Sequence, residues 1–555
     1  MDSFKKFLSK FNQKNNAEVP NQSYGTSENE LAACEETIYA YVHRRSKISP
    51  HELIDALQKI AKTGVSALVY AVTQLAAHPD GRVRRQAWKT IEALLIDIPC
   101  SALPAIGYEM RRQGVDIEAH FQGAEMDTPA KALGMLTFNK NGYIRENALK
   151  ELIHRFDGQE LPFIIIAAND WVGNIHVLAT EALEKRANKQ YAPYLAENTA
   201  LFKWLWGTRR HEFGSLRTNI EALIAETLTR SDLPGIFSTT SERAIWFYAY
   251  KLAVDAPKRP TSEYDQLIDY GISFPDSRIQ NFAAEQVLKG KLPEKIQDYL
   301  PRFLKHSSPQ VRRETLRWIV ENKWDSYENT LLSCLFDRSL AVRLLAQHYM
   351  EKSKIIPLYL ENLNSQVYPI DSTLLGLIEM HAEVPKEAVE PFLSDQNRKA
   401  RAAAYSILLR DPLSNHEQTA LRALSDKSGY CNRVAVKYLR GERGLLSSEQ
   451  LWNLYSPDGP GTKTRAILSA ISNLGTWKSL EYLLLAKASA RADLQDYLDC
   501  FIENWKLNYK EKLSNEQFEQ CMSAIEKCES LISTSKRKHF EFLLKTNLGK
   551  DEIQN

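Results

Sequence analysis

A chain of 555 residues that is 44% hydrophobic and 25% charged, with 23 glycines and 22 prolines, has the composition of a well-filled globular protein and excludes a disordered or fibrous one. Its formal charge of +2 is close to neutral, which excludes a global electrostatic drive towards nucleic acid or acidic substrates and leaves only local basic faces. No run of about eighteen apolar residues occurs, so no membrane-spanning helix is expected.

The first eleven residues, MDSFKKFLSKF, place Phe4, Phe7, Leu8 and Phe11 on one helical face, with Lys5, Lys6 and Lys10 off it. They lack the apolar centre of a signal peptide, and Asp2 stands where myristoylation needs glycine. Residues 1–30 therefore read as a short amphipathic segment followed by a flexible polar linker. Residues 1–11 are suited to a peripheral contact with a membrane surface or a partner groove. From residue 31 onward apolar positions recur at spacings of three and four, as in HELIDALQKIAKTGVSALVYAVTQL, and strand-like alternation is scarce. Helix starts are signed by S-x-x-E/Q boxes at 49–52, 414–417, 447–450 and 514–517. Breaks near 254–263 and 454–463 read as loops within an array. The expected divisions are 1–30, a helical array over 31–510, and a C-terminal helical cap over 511–555.

Self-similarity is the most informative feature of the array. The pairs Val83-Arg84, Ile144-Arg145, Ile175-His176, Ile279-Gln280, Val311-Arg312, Val342-Arg343, Ala400-Arg401 and, slightly shifted, Asn432-Arg433 align with one another. A small residue follows three positions on in most copies: Ala87, Ala148, Ala179, Ala283, Thr315, Ala346 and Ala404. A polar residue stands six positions before the anchor in six of the eight: His78, Asn139, Asp170, His306, Asp337 and Asp395. The intervals are mostly one or two units of about 31 residues, and the gap of 104 holds weaker candidates at Leu216-Arg217 and Glu242-Arg243. Two antiparallel helices per unit account for the motif. The polar residue caps the second helix by accepting backbone N–H bonds, the branched residue and the alanine share its inner face, and the arginine reaches an acidic residue of its own or the adjacent unit. Arg84, Arg145, Arg312, Asp337, Arg343, Asp395 and Arg401 are thus expected to be ladder residues that tie unit to unit.

DRSLAVR at 337–343, DQNRKAR at 395–401 and NDWVGNIHVLA at 169–179 resemble the HEAT-repeat family, in particular its short bacterial HEAT-like members. The resemblance runs from about 66 to 437. It implies an all-α, right-handed α-solenoid of ARM type with an extended groove lined by the second helices. An array of about fourteen to sixteen hairpins would fill the chain.

The candidates for chemistry are few. Three His-Glu pairs, His51-Glu52, His211-Glu212 and His416-Glu417, invite comparison with HEAT-type iron hydroxylases, but they stand 160 and 205 residues apart, and Glu52 and Glu417 fit capping boxes. GPGTKT at 459–464 misses the phosphate-loop spacing. The tryptophans outside 203–217, namely 88, 171, 246, 318, 324, 452, 477 and 505, are expected in the core. Seven cysteines, with no C-x-x-C pair and no zinc-ligand spacing, read as reduced thiols of a cytoplasmic protein. No catalytic, metal or cofactor site emerges. The expected function is a non-enzymatic protein-binding or scaffold protein that takes a protein or peptide partner through solvent-facing second-helix residues such as Arg85, Lys89, Lys150, Arg313 and Arg317. The alternative is a nucleic-acid-binding HEAT-like protein, with or without base chemistry. Its candidate patch is KWLWGTRRHEFGSLR, with Lys203, Trp204, Trp206, Arg209, Arg210 and Arg217. Oligomeric state is not legible in the sequence.

Overall fold

Helices begin where the chain supplies acceptors for their first N–H groups. In the computed structural model, which describes residues 28–548 apart from 43–46, 64–68, 114–127, 509–510 and positions 77, 97, 156, 239, 258 and 326, every element is helical. No strand occurs among the described residues. The amphipathic segment 1–11 lies outside them. Three of the four boxes close reciprocally. Ser49 N–H donates to Glu52 Oε2 at 2.8 Å and Glu52 N–H to Ser49 Oγ at 3.3 Å, and Ser447–Gln450 and Ser514–Gln517 behave alike. The fourth is displaced by one residue: Asn415 accepts the Gln418 N–H at 3.0 Å, because the Asp411 carboxylate draws the Ser414 hydroxyl back into the preceding turn.

Among the described residues nine helices carry the repeat: α1 (Gly81–Leu94), α2 (Gly142–Leu152), α3 (Gly173–Arg186), α4 (Arg243–Asp255), α5 (Ser277–Leu288), α6 (Pro309–Glu321), α7 (Leu340–Tyr349), α8 (Arg398–Leu408) and α9 (Gly429–Gly441). Most pack on the helix just before them in the chain, as α5 does on Thr261–Ser273 and α9 on His416–Ser425. The motif helices also stack on one another, α2 on α3, α4 on α5, α6 on α7 and α8 on α9. Contacts between near neighbours in sequence, repeated along the chain, make this an all-α solenoid. Thr199–Gly207 departs from the rule by also meeting Cys100–Ala102. Two compact units divide the chain between Phe303 and Leu304.

The stacking explains the small residue of the motif. Ala87, Ala148, Ala179, Ala283, Thr315, Ala346 and Ala404 are all completely buried, and a small side chain there lets adjacent helices approach closely. The turn before each motif helix is built by the polar residue six places before the anchor. His78, Asn139, Asp170, His306, Asp337 and Asp395 each accept the N–H two positions on, at 2.6–3.0 Å. Those N–H groups belong to the N-cap residues themselves. The six side chains therefore shape the turn, which corrects their expected role as helix caps. The first helical N–H groups are left to the next polar residue, such as Asp80, Asn141 or Asn397.

The anchor side chain then folds back. Arg84, Arg145, Arg312, Arg343 and Arg401 donate Nη1–H to the backbone carbonyls of His78, Asn139, His306, Asp337 and Asp395 at 2.6–3.0 Å. Gln280 reaches Phe274 O at 2.8 Å in the same register. In the last copy Asn432, not Arg433, holds the anchor position, donating to Asp426 O at 3.0 Å. His176 is turned to Ala168 O at 2.7 Å. A further copy lies inside the 104-residue gap: Trp246 Nε1–H donates to Thr240 O at 2.9 Å, between a buried Ile245 and a buried Ala249.

Three arginines complete the tie with their other edge. Arg145, Arg312 and Arg401 bind Asp170, Asp337 and Asp426 through Nε and Nη2 at 2.7–2.9 Å, each 25 residues on. Each of these carboxylates is the group that shapes the next turn, so one guanidinium fastens two successive units. Arg343 makes the same tie to Glu379, 36 residues on.

Candidate partner-binding surface

With the anchors turned inward, the residues beside them make up the outer face of the motif helices. Arg85 and Lys89 are exposed on α1, and Lys150 is exposed on α2, where it pairs with Glu146 at 2.7 Å. Arg313 and Arg317 are half-buried on α6, and both are held by Glu314 at 2.7 Å. These two arginines therefore share one carboxylate, whereas Arg85 and Lys89 stand out in solvent.

The basic-aromatic stretch 203–217 is engaged internally at most of its candidate positions. Trp206 stacks on Phe202 with ring centroids 5.5 Å apart and meets the edge of Phe213 at 5.2 Å. Arg217 lies 5.9 Å over Trp206 and pairs with Glu221 at 3.0 Å, while Lys203 sits 4.9 Å over Tyr248. Arg210 donates to Asn169 O at 2.7 Å. Trp204 is half-buried and Arg209 is exposed.

Arg210 leads to a more concentrated cluster around the turn 168–171. The Asp170 carboxylate receives Arg145 in bidentate fashion, and Arg111 lies 3.5 Å away. Both guanidinium groups lie over the ring of Trp171, at 4.6 Å for Arg145 and 5.1 Å for Arg111. Burial pushes Arg111 down to about 10; Asp170 opposes the shift, and the charges of Arg145 and Arg210 add to it. The His211 ring bonds Asp170 O at 3.0 Å and stacks on His176, with ring centroids 3.6 Å apart.

Trp171 itself is 56% exposed, which corrects its expected place in the core. It falls between the turn-shaping Asp170 and the N-cap Val172, before the helix begins, with Arg111 and Arg145 over its ring. Trp88, Trp477 and Trp505 are buried as expected. Two other aromatics stand out at helix starts, Tyr143 at 81% exposure and Tyr430 at 37%, and a third, Tyr497, is 43% exposed inside Ala492–Asn504. Arginine lies over two of them, since Arg398 and Arg433 are 5.0 and 4.7 Å from the Tyr430 ring and Arg465 is 4.2 Å from that of Tyr497. Sequence reasoning did not single out these tyrosines. The available signal was a shared Gly-Tyr at the start of a motif helix, Gly142-Tyr143 and Gly429-Tyr430, ahead of the first inward position.

The His-Glu pairs have structural partners. Glu52 closes its capping box, Glu417 accepts from Gln450 Nε2 at 2.6 Å, and the His416 ring lies between Asp411 O and the Tyr438 hydroxyl. Among the described residues no group of three or more His, Cys, Asp or Glu side chains is arranged to hold a metal ion, and no helix is long and apolar enough to cross a membrane.

No family model matches the sequence, and no curated protein matches it. Among solved structures the chain is similar to importin beta at 12% identity. One crystal form is matched over 98% of this chain and 78% of that one, with a TM-score of 0.27. A second is matched over 94% and 74%, with a TM-score of 0.26. Kap121p is matched at 12% identity over 85% of this chain and 57% of that one, with a TM-score of 0.25. At TM-scores this low, the solenoid assignment stands on the chain's own helix contacts and its arginine ladder.

Proposed function

We propose that this protein is a non-enzymatic binding or scaffold protein that takes a protein or peptide partner along its second helices. The observation that carries this reading is the placement of exposed aromatics beside arginine: Trp171 with Arg111 and Arg145 and Tyr430 with Arg398 and Arg433 at helix starts, and Tyr497 with Arg465 within a helix. Trp, Tyr and Arg are the residue types that dominate the energetics of protein interfaces. A solenoid leaves such side chains free to differ from unit to unit, because the ladder takes up the anchor positions. On this reading Arg85, Lys89 and Lys150 form a charged rim, and Arg313 and Arg317 contribute once a partner carboxylate competes for Glu314's place. The helical array spans 31–510, 511–555 cap its end, and 1–11 add a peripheral contact. The protein acts in the cytoplasm.

Affinity capture with the intact chain, compared with Trp171→Ala and Tyr143→Ala, tests the proposal. Retained proteins should be lost from the variants while their melting temperatures match the native chain. Retention of the same proteins by both variants, or of none by the native chain, would count against it. The nucleic-acid reading is checked by a gel shift at low salt, where absence of a shift is the expected result.

A further inference from the structure

The starts of α8, α9 and Gly461–Leu474, the helix stacked on α9, enclose an open cleft of about 630 Å³, lined among others by Arg398, Arg401, Lys427, Tyr430, Arg433 and Thr462. Its charges are unevenly used. Arg401 is 7% exposed and committed to Asp426 and to the Asp395 and Gln396 carbonyls. Arg398, Lys427 and Arg433 are exposed, and none of them forms an ion pair among the described residues. The cleft therefore holds three cations without a carboxylate partner among the described residues, two of them over the Tyr430 ring. The helix starts that border it add the positive ends of their dipoles.

We infer that this cleft binds an acidic peptide segment, with Glu or Asp side chains of the partner set against Arg398, Lys427 and Arg433. The inference rests on the protein-binding reading above and gives that partner its chemistry. Two features favour carboxylates on a peptide over a nucleic-acid strand. The aromatic ring of the cleft, Tyr430, already has the guanidinium groups of Arg398 and Arg433 over it at 5.0 and 4.7 Å, and stacking of bases needs an open ring face. The charge is local: the chain as a whole carries only +2, so no continuous polyanion track is implied.

The test is fluorescence polarisation of fluorescein-labelled hexaglutamate against the full chain at about 50 mM salt, where screening is weak. The native protein is expected to bind, and Arg398→Glu/Arg433→Glu to weaken binding about tenfold or more with an unchanged melting temperature. The control is Lys399→Glu/Lys437→Glu, exposed positions outside the cleft that alter the net charge equally; its affinity should stay within about twofold of native. Absence of binding by the native chain, or equal weakening in both double variants, overturns the inference. So does a labelled single-stranded oligonucleotide that binds more tightly than hexaglutamate and loses affinity in the cleft variant, which would assign the cleft to phosphates. If hexaglutamate fails while captured proteins still depend on Trp171 and Tyr143, only the cleft inference falls. If hexaglutamate binds through the cleft but nothing is captured, the broader reading fails and the cleft's preference stands.

Discussion

Arg343 carries the ladder at the scale of one residue. Its side chain is 3% exposed, it donates to Asp337 O at 2.7 Å, and it pairs with Glu379. Replacing it with alanine leaves a nearly buried carboxylate and a backbone carbonyl without their donors. A cost of about 3 kcal/mol is expected from the loss of one partner of a buried pair. Arg343→Ala should therefore lower the melting temperature measured by circular dichroism. Loss of partner capture at full stability would contradict a ladder role. The Arg401–Asp426 rung predicts the pH response. Burial raises the Asp426 carboxyl, but the Arg401 hydrogen bonds, the Ser428 N–H and the Arg401 charge outweigh it and hold the group below the usual carboxylate range. A carboxyl lowered in the folded state stabilises the fold above its unfolded value near 4, and that stability is lost as pH falls through the folded value. Acid unfolding of the native chain should thus steepen below about pH 4, and the step should shrink in Asp426→Asn. The arginine anchors were legible because one residue type recurs at a fixed spacing. Trp246 was not, since an indole N–H does the work of a guanidinium and nothing in its residue type says so. Glu379 was hidden for another reason: Arg343 finds its acceptor 36 residues on rather than 25, at the end of the second helix that follows.

Between elements, what matters is how closely two helices approach. Gly376, in Ile370–Glu379, faces Tyr359, in Lys352–Ser365, so nearly that a β-carbon there would lie 2.2 Å from Tyr359 Cζ. Tyr359 cannot give way easily. It is fully buried, its hydroxyl donates to Leu335 O at 2.9 Å, and Gln347 donates to that hydroxyl at 3.2 Å. Alanine gains about 1 kcal/mol of helix propensity over glycine, whereas overpacking a filled core costs about 1–3 kcal/mol. Gly376→Ala should therefore destabilise the protein in urea unfolding. Gly235→Ala is the matched control: it also lies in a helix, Leu233–Ser238, and nothing stands within 4 Å of its added carbon, so stability should hold or rise. A loss in both variants would mean that the close approach is not the cause. Three-and-four periodicity made the helices legible, and the buried alanines revealed the seams of the repeat. The Gly376 seam lies outside the motif, where a lone glycine in a helical pattern signals nothing about the ring it meets.

On the whole-molecule scale, the solenoid fixes how far a disturbance travels. The last two described helices, Asn515–Lys527 and Thr534–Leu548, close the end of the second unit. The first packs on Trp477–Ser489, where Cys521 Sγ lies 3.4 Å from Trp477 O, and Phe540 of the second meets the edge of Trp505 at 5.9 Å. Trp477, Leu480, Leu484 and Trp505 are buried there. A chain ending at residue 510 would lose this cover and expose an apolar face, at a cost on the order of 5 kcal/mol from the uncovered side chains. In a globular core that loss would be felt throughout the domain. In an array whose helices meet mainly their neighbours, it should be confined to the nearest units. Hydrogen exchange on the truncated chain is therefore expected to speed up strongly in Gly461–Asn504 and to leave α2 and α3 protected as in the native protein. Uniform loss of protection along the chain would refute neighbour-limited coupling, and unchanged exchange in Gly461–Asn504 would show that residues 511–555 cap nothing.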